Sequence, residues 1–226
     1  MGASTVPLIG ERIREERIRK GMSARRLARD IGVSASLISQ IETDKSKPSV
    51  STLYAITTAL GISIEDLFDA RAPTVAQGGH GPGGEAQTPG YPTDASAGVT
   101  AALAVLGQDR RRRVGPIVRT DEREILTLDS GVTWELLGQV PHAHVDFLRI
   151  TYQPGGSSSS TGLLMRHSGT EYGFVISGEL VLTLGFDEHR LAVGDAVSFD
   201  STTPHGYRND GDEPAVGIWF VLEHLD

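Results

Sequence analysis

The sequence contains no cysteine. That absence excludes a disulfide framework, a thiolate metal site and a cysteine nucleophile. No stretch approaches membrane-spanning length, and the opening residues MGASTVPLIGERIREE lack the apolar run of a signal peptide, so a soluble, cytoplasmic protein with no membrane partner is the expectation. Tryptophan is scarce: Trp134 and Trp219 are the only two, and both are expected in the core rather than as ligand platforms. Lysine is scarcer than arginine, and every lysine lies within residues 11–50.

What is present divides unevenly. A chain of 226 residues can hold one large domain or two modest ones, each able to bury a core. The net charge of −8 would argue against a nucleic-acid partner if it were uniform. Instead, residues 1–72 carry 11 Lys+Arg against 9 Asp+Glu, and residues 73–226 carry 10 against 20. A mildly basic module attached to a strongly acidic one fits this asymmetry.

Hydrophobic spacing gives the same division. Residues 8–69 read as helices, with apolar positions at helical intervals in LIGERIREERIRKG, SARRLARDIG, SASLISQIE and SVSTLYAITTALG. Gly21, Gly32 and Gly61 stand at stop positions, Ser23, Ser34 and Ser49 at N-cap positions, and Pro48 blocks backward extension of the fourth helix. Residues 70–114 are rich in Gly, Pro and Ala and read as a flexible linker. Within it, VTAALAVLGQ is compatible with a short helix, and Arg110 to Arg113 form either a solvated charge cluster or an auxiliary phosphate contact. Residues 115–226 read as short alternating strands, the clearest being VDFLRITYQPGG, TEYGFVISGELVLTLG, HRLAVGDAVSF and AVGIWFVLEH. ISGEL reads as a tight hairpin turn, and the serine run GGSSSSTG as a loop without core side chains. The fold class expected is α+β multidomain: a helical domain followed by an all-β barrel.

In the helical part, a helix capped by Ser34 and running to Glu42 turns Leu37, Ile38 and Ile41 inward. Ala35, Ser36, Ser39 and Gln40 are left on the opposite face, small and uncharged, with Thr43 at its end. Such a face suits the floor of a DNA major groove, where Gln40 can pair with adenine and Ala35 can meet a thymine methyl. Lys45 and Lys47 in the next loop can hold phosphates. SARRLARDIGVS, LISQIE and KPSVSTLYAITTALGISIEDLF closely resemble the helix-turn-helix of the xenobiotic-response-element (XRE) regulators and the lambdoid phage repressors. The resemblance implies a five-helix domain whose third helix enters the major groove of a double-stranded operator. It also implies a homodimer on a palindromic or near-palindromic site. The sequence departs from the family at Ala24, often Gln, and at Asp44, often Gly.

In the β part, period-2 alternation along one strand would place Met165, His167 and Glu171 on one face, with Arg166 opposite. GDAVSFDSTTPHGYRN would place His205, Tyr207 and Asn209 on one face of another strand. Two histidines and a carboxylate on inward faces could hold one divalent metal (Fe, Zn, Ni or Mn), or they could form a metal-free polar pocket. HSGTEYGFVISG and the stretch from Gly194 to Asn209 resemble the two motifs of the cupin superfamily, which implies a jelly-roll barrel. Carrying the family's ligand positions over gives His167, Glu171 and His205, with Met165 where a further histidine is usual. The pocket expected for a small-molecule effector comprises Met165, His167, Glu171, His205 and Tyr207. His80, His142, His144, His189 and His224 have no comparable pattern and are expected at the surface.

Joined, the two parts resemble the cupin-bearing branch of the XRE regulators, which implies a transcriptional regulator with no catalytic residues whose cupin domain senses an effector. The hydroxypropylphosphonate epoxidase family, mononuclear non-haem iron enzymes with a two-His-one-Glu site, joins similar domains. An anionic phosphonate would want basic groups, and residues 115–226 contain no lysine.

Overall fold

In the computed structural model, residues 9–64, 67, 117–138 and 145–222 are described. Among the described residues, four helices form the first part: α1 (Ile9–Arg19), α2 (Ala24–Asp30), α3 (Ala35–Glu42) and α4 (Val50–Leu60). Each of the last three begins at a serine whose hydroxyl accepts a backbone N–H: Ser23 from Arg26, Ser34 from Leu37 and Ser49 from Thr52. These bonds satisfy donors that a helix start otherwise leaves open. Gly61 ends α4 in the left-handed region at φ 55°, where a side chain would be strained. A fifth helix would fall largely on positions 65, 66 and 68, outside the described residues.

Ile13, Leu27, Ile38, Ile41, Leu53 and Ile56 fill the helical core. α1 meets the end of α3 so closely that a Cβ on Gly10 would lie 2.0 Å from the Ile41 carbonyl oxygen. Asp44, at φ 54°, uses its carboxylate to accept the Gly10 N–H at 3.2 Å. The acid that stands where the family often has glycine thus ties α1 to α3. Arg17 adds a two-pronged pair to buried Glu42, at 2.5 and 2.8 Å.

Nine strands follow: β1 (Ile125–Thr127), β2 (Val132–Gly138), β3 (Val145–Tyr152), β4 (Thr170–Ser177), β5 (Leu180–Leu184), β6 (Asp187–Leu191), β7 (Ala196–Asp200), β8 (His205–Arg208) and β9 (Ala215–Leu222). All pairings are antiparallel. They build a six-stranded sheet in the order β1-β2-β3-β9-β4-β7 and a three-stranded sheet in the order β6-β5-β8. The rings of Trp219 on β9 and Tyr207 on β8 meet edge to face at 5.4 Å, which brings the inner faces of the two sheets together. Room for the indole comes from two glycines: a Cβ on Gly217 or Gly173 would sit 2.1 or 2.6 Å from it.

Three expectations are corrected. ISGEL is not a hairpin, because β4 pairs with β9 and β7 whereas β5 pairs with β6 and β8. The chain changes sheets at Gly178, whose φ of 73° and 2.6 Å approach to Ala215 leave no room for a side chain. HRLAVGDAVSF is likewise two strands, β6 and β7, in different sheets. The serine run is a loop in part only: Ser157 bridges to Arg208, and Ser158 is buried. The Ser158 N–H donates to the Tyr207 carbonyl, its hydroxyl accepts the Tyr207 N–H, and its own carbonyl accepts the Ser51 N–H of α4, each at 2.9 Å. A small hydroxyl residue can be buried when every polar group it brings is paired.

The described helices and strands belong to one compact unit. Besides the Ser51–Ser158 bond, the Asp129 N–H donates to the Pro48 carbonyl at 2.9 Å, so the start of α4 is tied to the β part twice. The linker expected over residues 70–114, including VTAALAVLGQ and Arg110 to Arg113, lies outside the described residues. Among those described, no helix is long and apolar enough to cross a membrane.

Candidate functional site

On α3, Ile38 and Ile41 are buried and Leu37 half-buried, which turns Ser36, Ser39 and Gln40 outward. Thr43, Lys45 and Lys47 continue this exposed surface. Ala35 is half-buried and packs against the core, so it presents less surface than its neighbours. The Gln40 amide makes one long contact, 3.4 Å to the Ser36 hydroxyl, and Thr43 donates to the Ser39 carbonyl at 2.8 Å. The backbone carbonyl of Gln40 accepts the Lys45 and Ser46 N–H groups, folding the lysine-bearing loop back onto the helix end.

The second polar constellation is buried. His167, Glu171 and His205 are each at most 7% exposed. Glu171 enters on β4 and His205 on β8, from opposite sheets. His167 lies just ahead of β4, and Met165 forms an isolated bridge to His205, so residues 165–171 are not one continuous strand. Burial nonetheless alternates from Met165 through Arg166 and His167 to Glu171, so the shared face expected from period 2 is kept, and the Met165–His205 bridge brings it against β8. Arg166 is exposed and donates to the Thr202 carbonyl.

One oxygen, Glu171 Oε1, lies 2.8 Å from His167 Nε2 and 2.9 Å from His205 Nε2. His205 Nδ1 is 2.8 Å from the Thr203 carbonyl, which can only accept, so Nδ1 carries a proton. Nε2 faces the carboxylate oxygen at 2.9 Å but is not aligned with it in a hydrogen bond. With both nitrogens within 3 Å of Oε1 and all three donor atoms within 4.8 Å of one another, the set could take a divalent cation. A carbonyl that fixes the far nitrogen is the usual support of a metal-ligating histidine. The residues fit a metal, and the three form a set able to hold one.

Tyr207 donates its hydroxyl to the other oxygen, Oε2, at 2.9 Å and accepts the Trp219 indole N–H at 3.2 Å. Burial raises the Glu171 carboxyl, but the two imidazoles within 3 Å of Oε1 outweigh it and bring the pKa down to about 2. Burial, followed by the Glu171 charge, pushes Tyr207 well up, so the phenol stays a donor. Asn209 is buried on the same side as His205 and Tyr207, as alternation expects. Its amide donates to the Tyr152 and Glu213 carbonyls and its oxygen accepts the Gly211 N–H, which shapes the turn before β9.

Two aromatic walls escaped the sequence reading. Phe199 meets His205 edge to face at 5.0 Å. Tyr54 of α4 stacks on His167 with ring centroids 4.2 Å apart and planes within 6°. A tyrosine among the aliphatic inward residues of α4 was the available signal. His189 is exposed, as expected; His80, His142, His144 and His224 lie outside the described residues.

Comparison with known proteins agrees with both halves. A helix-turn-helix family model, HTH_3, matches residues 13–67, and a cupin domain model, Cupin_2, matches residues 148–221. The HTH-type transcriptional regulator PuuR of Escherichia coli is 28% identical over 201 residues, covering 88% of this chain and 86% of PuuR. This chain joins an XRE-type helix-turn-helix domain to a cupin domain and is homologous to PuuR. SinR, an HTH-type transcriptional regulator of Bacillus subtilis, is 35% identical over 72 residues, which cover 31% of this chain and 65% of SinR. A crystal structure of an HTH_3 family transcriptional regulator from Vibrio cholerae shares the fold, with a TM-score of 0.59 at 19% identity over 97% of each chain. For this XRE-type chain, relatives and domain content are those of a regulator rather than an enzyme.

Proposed function

We propose that this regulator reads its operator with α3 and adjusts that binding to the occupant of the buried cupin site. Ser36, Ser39, Gln40 and Thr43, with Ala35 at the edge, face base edges, and Lys45 and Lys47 hold phosphates. One recognition helix reads too few base pairs to find an operator, so the working form is a cytoplasmic homodimer on a palindromic site. Met165, His167, Glu171, His205 and Tyr207 form the effector pocket, with a divalent metal on His167, Glu171 and His205 and the effector beside it. The observation that carries the sensor reading is the buried His205 Nε2, aimed at a carboxylate oxygen without a hydrogen bond. A fully buried polar atom left this way is costly unless a cation completes it.

Elemental analysis of protein purified without an affinity tag, joined to melting curves with Fe(II), Zn(II), Ni(II) and Mn(II), tests the metal. One metal per chain and a rise in melting temperature are expected, with the rise abolished in Glu171→Gln. Metal-free protein whose melting is unmoved by all four would overturn the metal, and a Glu171→Gln variant stabilised like the wild type would overturn the ligand set.

A further inference from the structure

A buried metal site can influence DNA only through groups it touches, and two of its three residues lead to the same helix. His167 carries the ring of Tyr54 flat against its imidazole. Glu171 holds the Tyr207 hydroxyl; Tyr207 shares backbone hydrogen bonds with Ser158, and the Ser158 carbonyl takes the N–H of Ser51. Tyr54 and Ser51 both belong to α4. At its start, α4 follows the loop that bears Lys45 and Lys47, and Pro48 in that loop is bonded to Asp129 of the β part. Along its length, Leu53 and Ile56 lie in the buried cluster that includes Ile38 and Ile41 of the recognition helix. α4 therefore lies between the DNA-facing loop and the buried site.

Tyr54 is buried among the aliphatic side chains of α4. A flat ring adds sensitivity to orientation. The parallel stack fixes the His167 ring plane from the helical side, and Trp134 braces Tyr54 from the β side, edge-on at 5.8 Å. A metal that takes the Nε2 lone pair requires the imidazole to aim that lone pair at it, and a tilt of the ring must be met by Tyr54 or break the stack. Packed cores respond to such a demand by switching between arrangements rather than by deforming smoothly.

We infer that Tyr54 is the positioning residue through which a metal on His167, Glu171 and His205 changes the setting of α4 and so the affinity for DNA. This rests on the metal-site reading above. Co(II) is the probe, because its visible absorption reports occupancy directly. The DNA is the operator recovered by selection in vitro with the full chain. The quantity read is the ratio of operator affinities with and without Co(II), which a general loss of stability or of DNA contact leaves unchanged. The wild type is expected to show a ratio of about fivefold or more in one direction. Tyr54→Phe should keep it. Tyr54→Leu should still give the Co(II) spectrum, with the ratio falling to within about twofold of unity. If the leucine variant does not fold, Tyr54→Met fills the same gap with a flexible chain. A leucine or methionine variant that keeps the full wild-type ratio overturns the role of Tyr54 and leaves the sensor reading standing. A wild type that gives the Co(II) spectrum at a ratio of one overturns both. A wild type with no Co(II) spectrum overturns the metal site and this inference with it.

Discussion

On α3, Ser36, Ser39, Gln40 and Thr43 stand exposed, with hydrogen bonds that stay within the helix. In the β part, His167, Glu171, His205 and Tyr207 are buried and converge on one carboxylate. Both sets are polar and small in number, but water can satisfy the first and not the second. If α3 reads DNA as proposed, changing the exposed set costs recognition and leaves the fold alone. Changing the buried set costs stability, because each group removed orphans its partners. On the proposed reading, function and stability are thus separable in one half and entangled in the other.

The largest expected effect tests the entangled half. Glu171→Leu leaves the Tyr207 hydroxyl and His167 Nε2 without the carboxylate they share, and should lower unfolding stability by about 3–5 kcal/mol. Urea denaturation of the metal-free protein measures it, and a loss under 1 kcal/mol would show that the cluster is not sealed. Next in size, Gln40→Ala should cost about 1–3 kcal/mol at the selected operator while moving stability by less than about 0.5 kcal/mol. Equal losses on operator and random DNA would remove Gln40 from base reading. Ser34→Ala removes the cap of α3 and should cost about 1 kcal/mol of stability; an unchanged denaturation midpoint would show the helix start held by packing alone. The smallest effect belongs to Lys47→Ala, which should weaken all DNA alike and lower the slope of log affinity against log salt by about one. A change confined to one sequence would contradict a phosphate contact.

The same division governs how much could be read from the chain. The helical half was legible nearly in full because its signals are local: a serine cap and the amide it serves are three residues apart, and a stop glycine adjoins its helix. Asp44 was the exception. Its carboxylate takes the N–H of Gly10, a residue distant in sequence, and no local pattern announces that contact. In the β half, His167, Glu171 and His205 were legible as residues but not as a path. Strand parity predicts which face a side chain takes, not which sheet its strand joins, and Gly178 moves the chain between sheets at the place that reads as a hairpin. Ser158 and Tyr54 escaped for a related reason, since each derives its role from a partner that only the fold brings near.

Both tryptophans lie in the β half, and each meets a tyrosine of the site region edge-on: Trp134 meets Tyr54, and Trp219 meets Tyr207. The helices carry no indole at all. Intrinsic fluorescence excited at the indole band therefore originates in the β part, beside the buried site, and not on α3. Emission that shifts when only DNA is added has to be reporting a change carried through the molecule, without any attached dye.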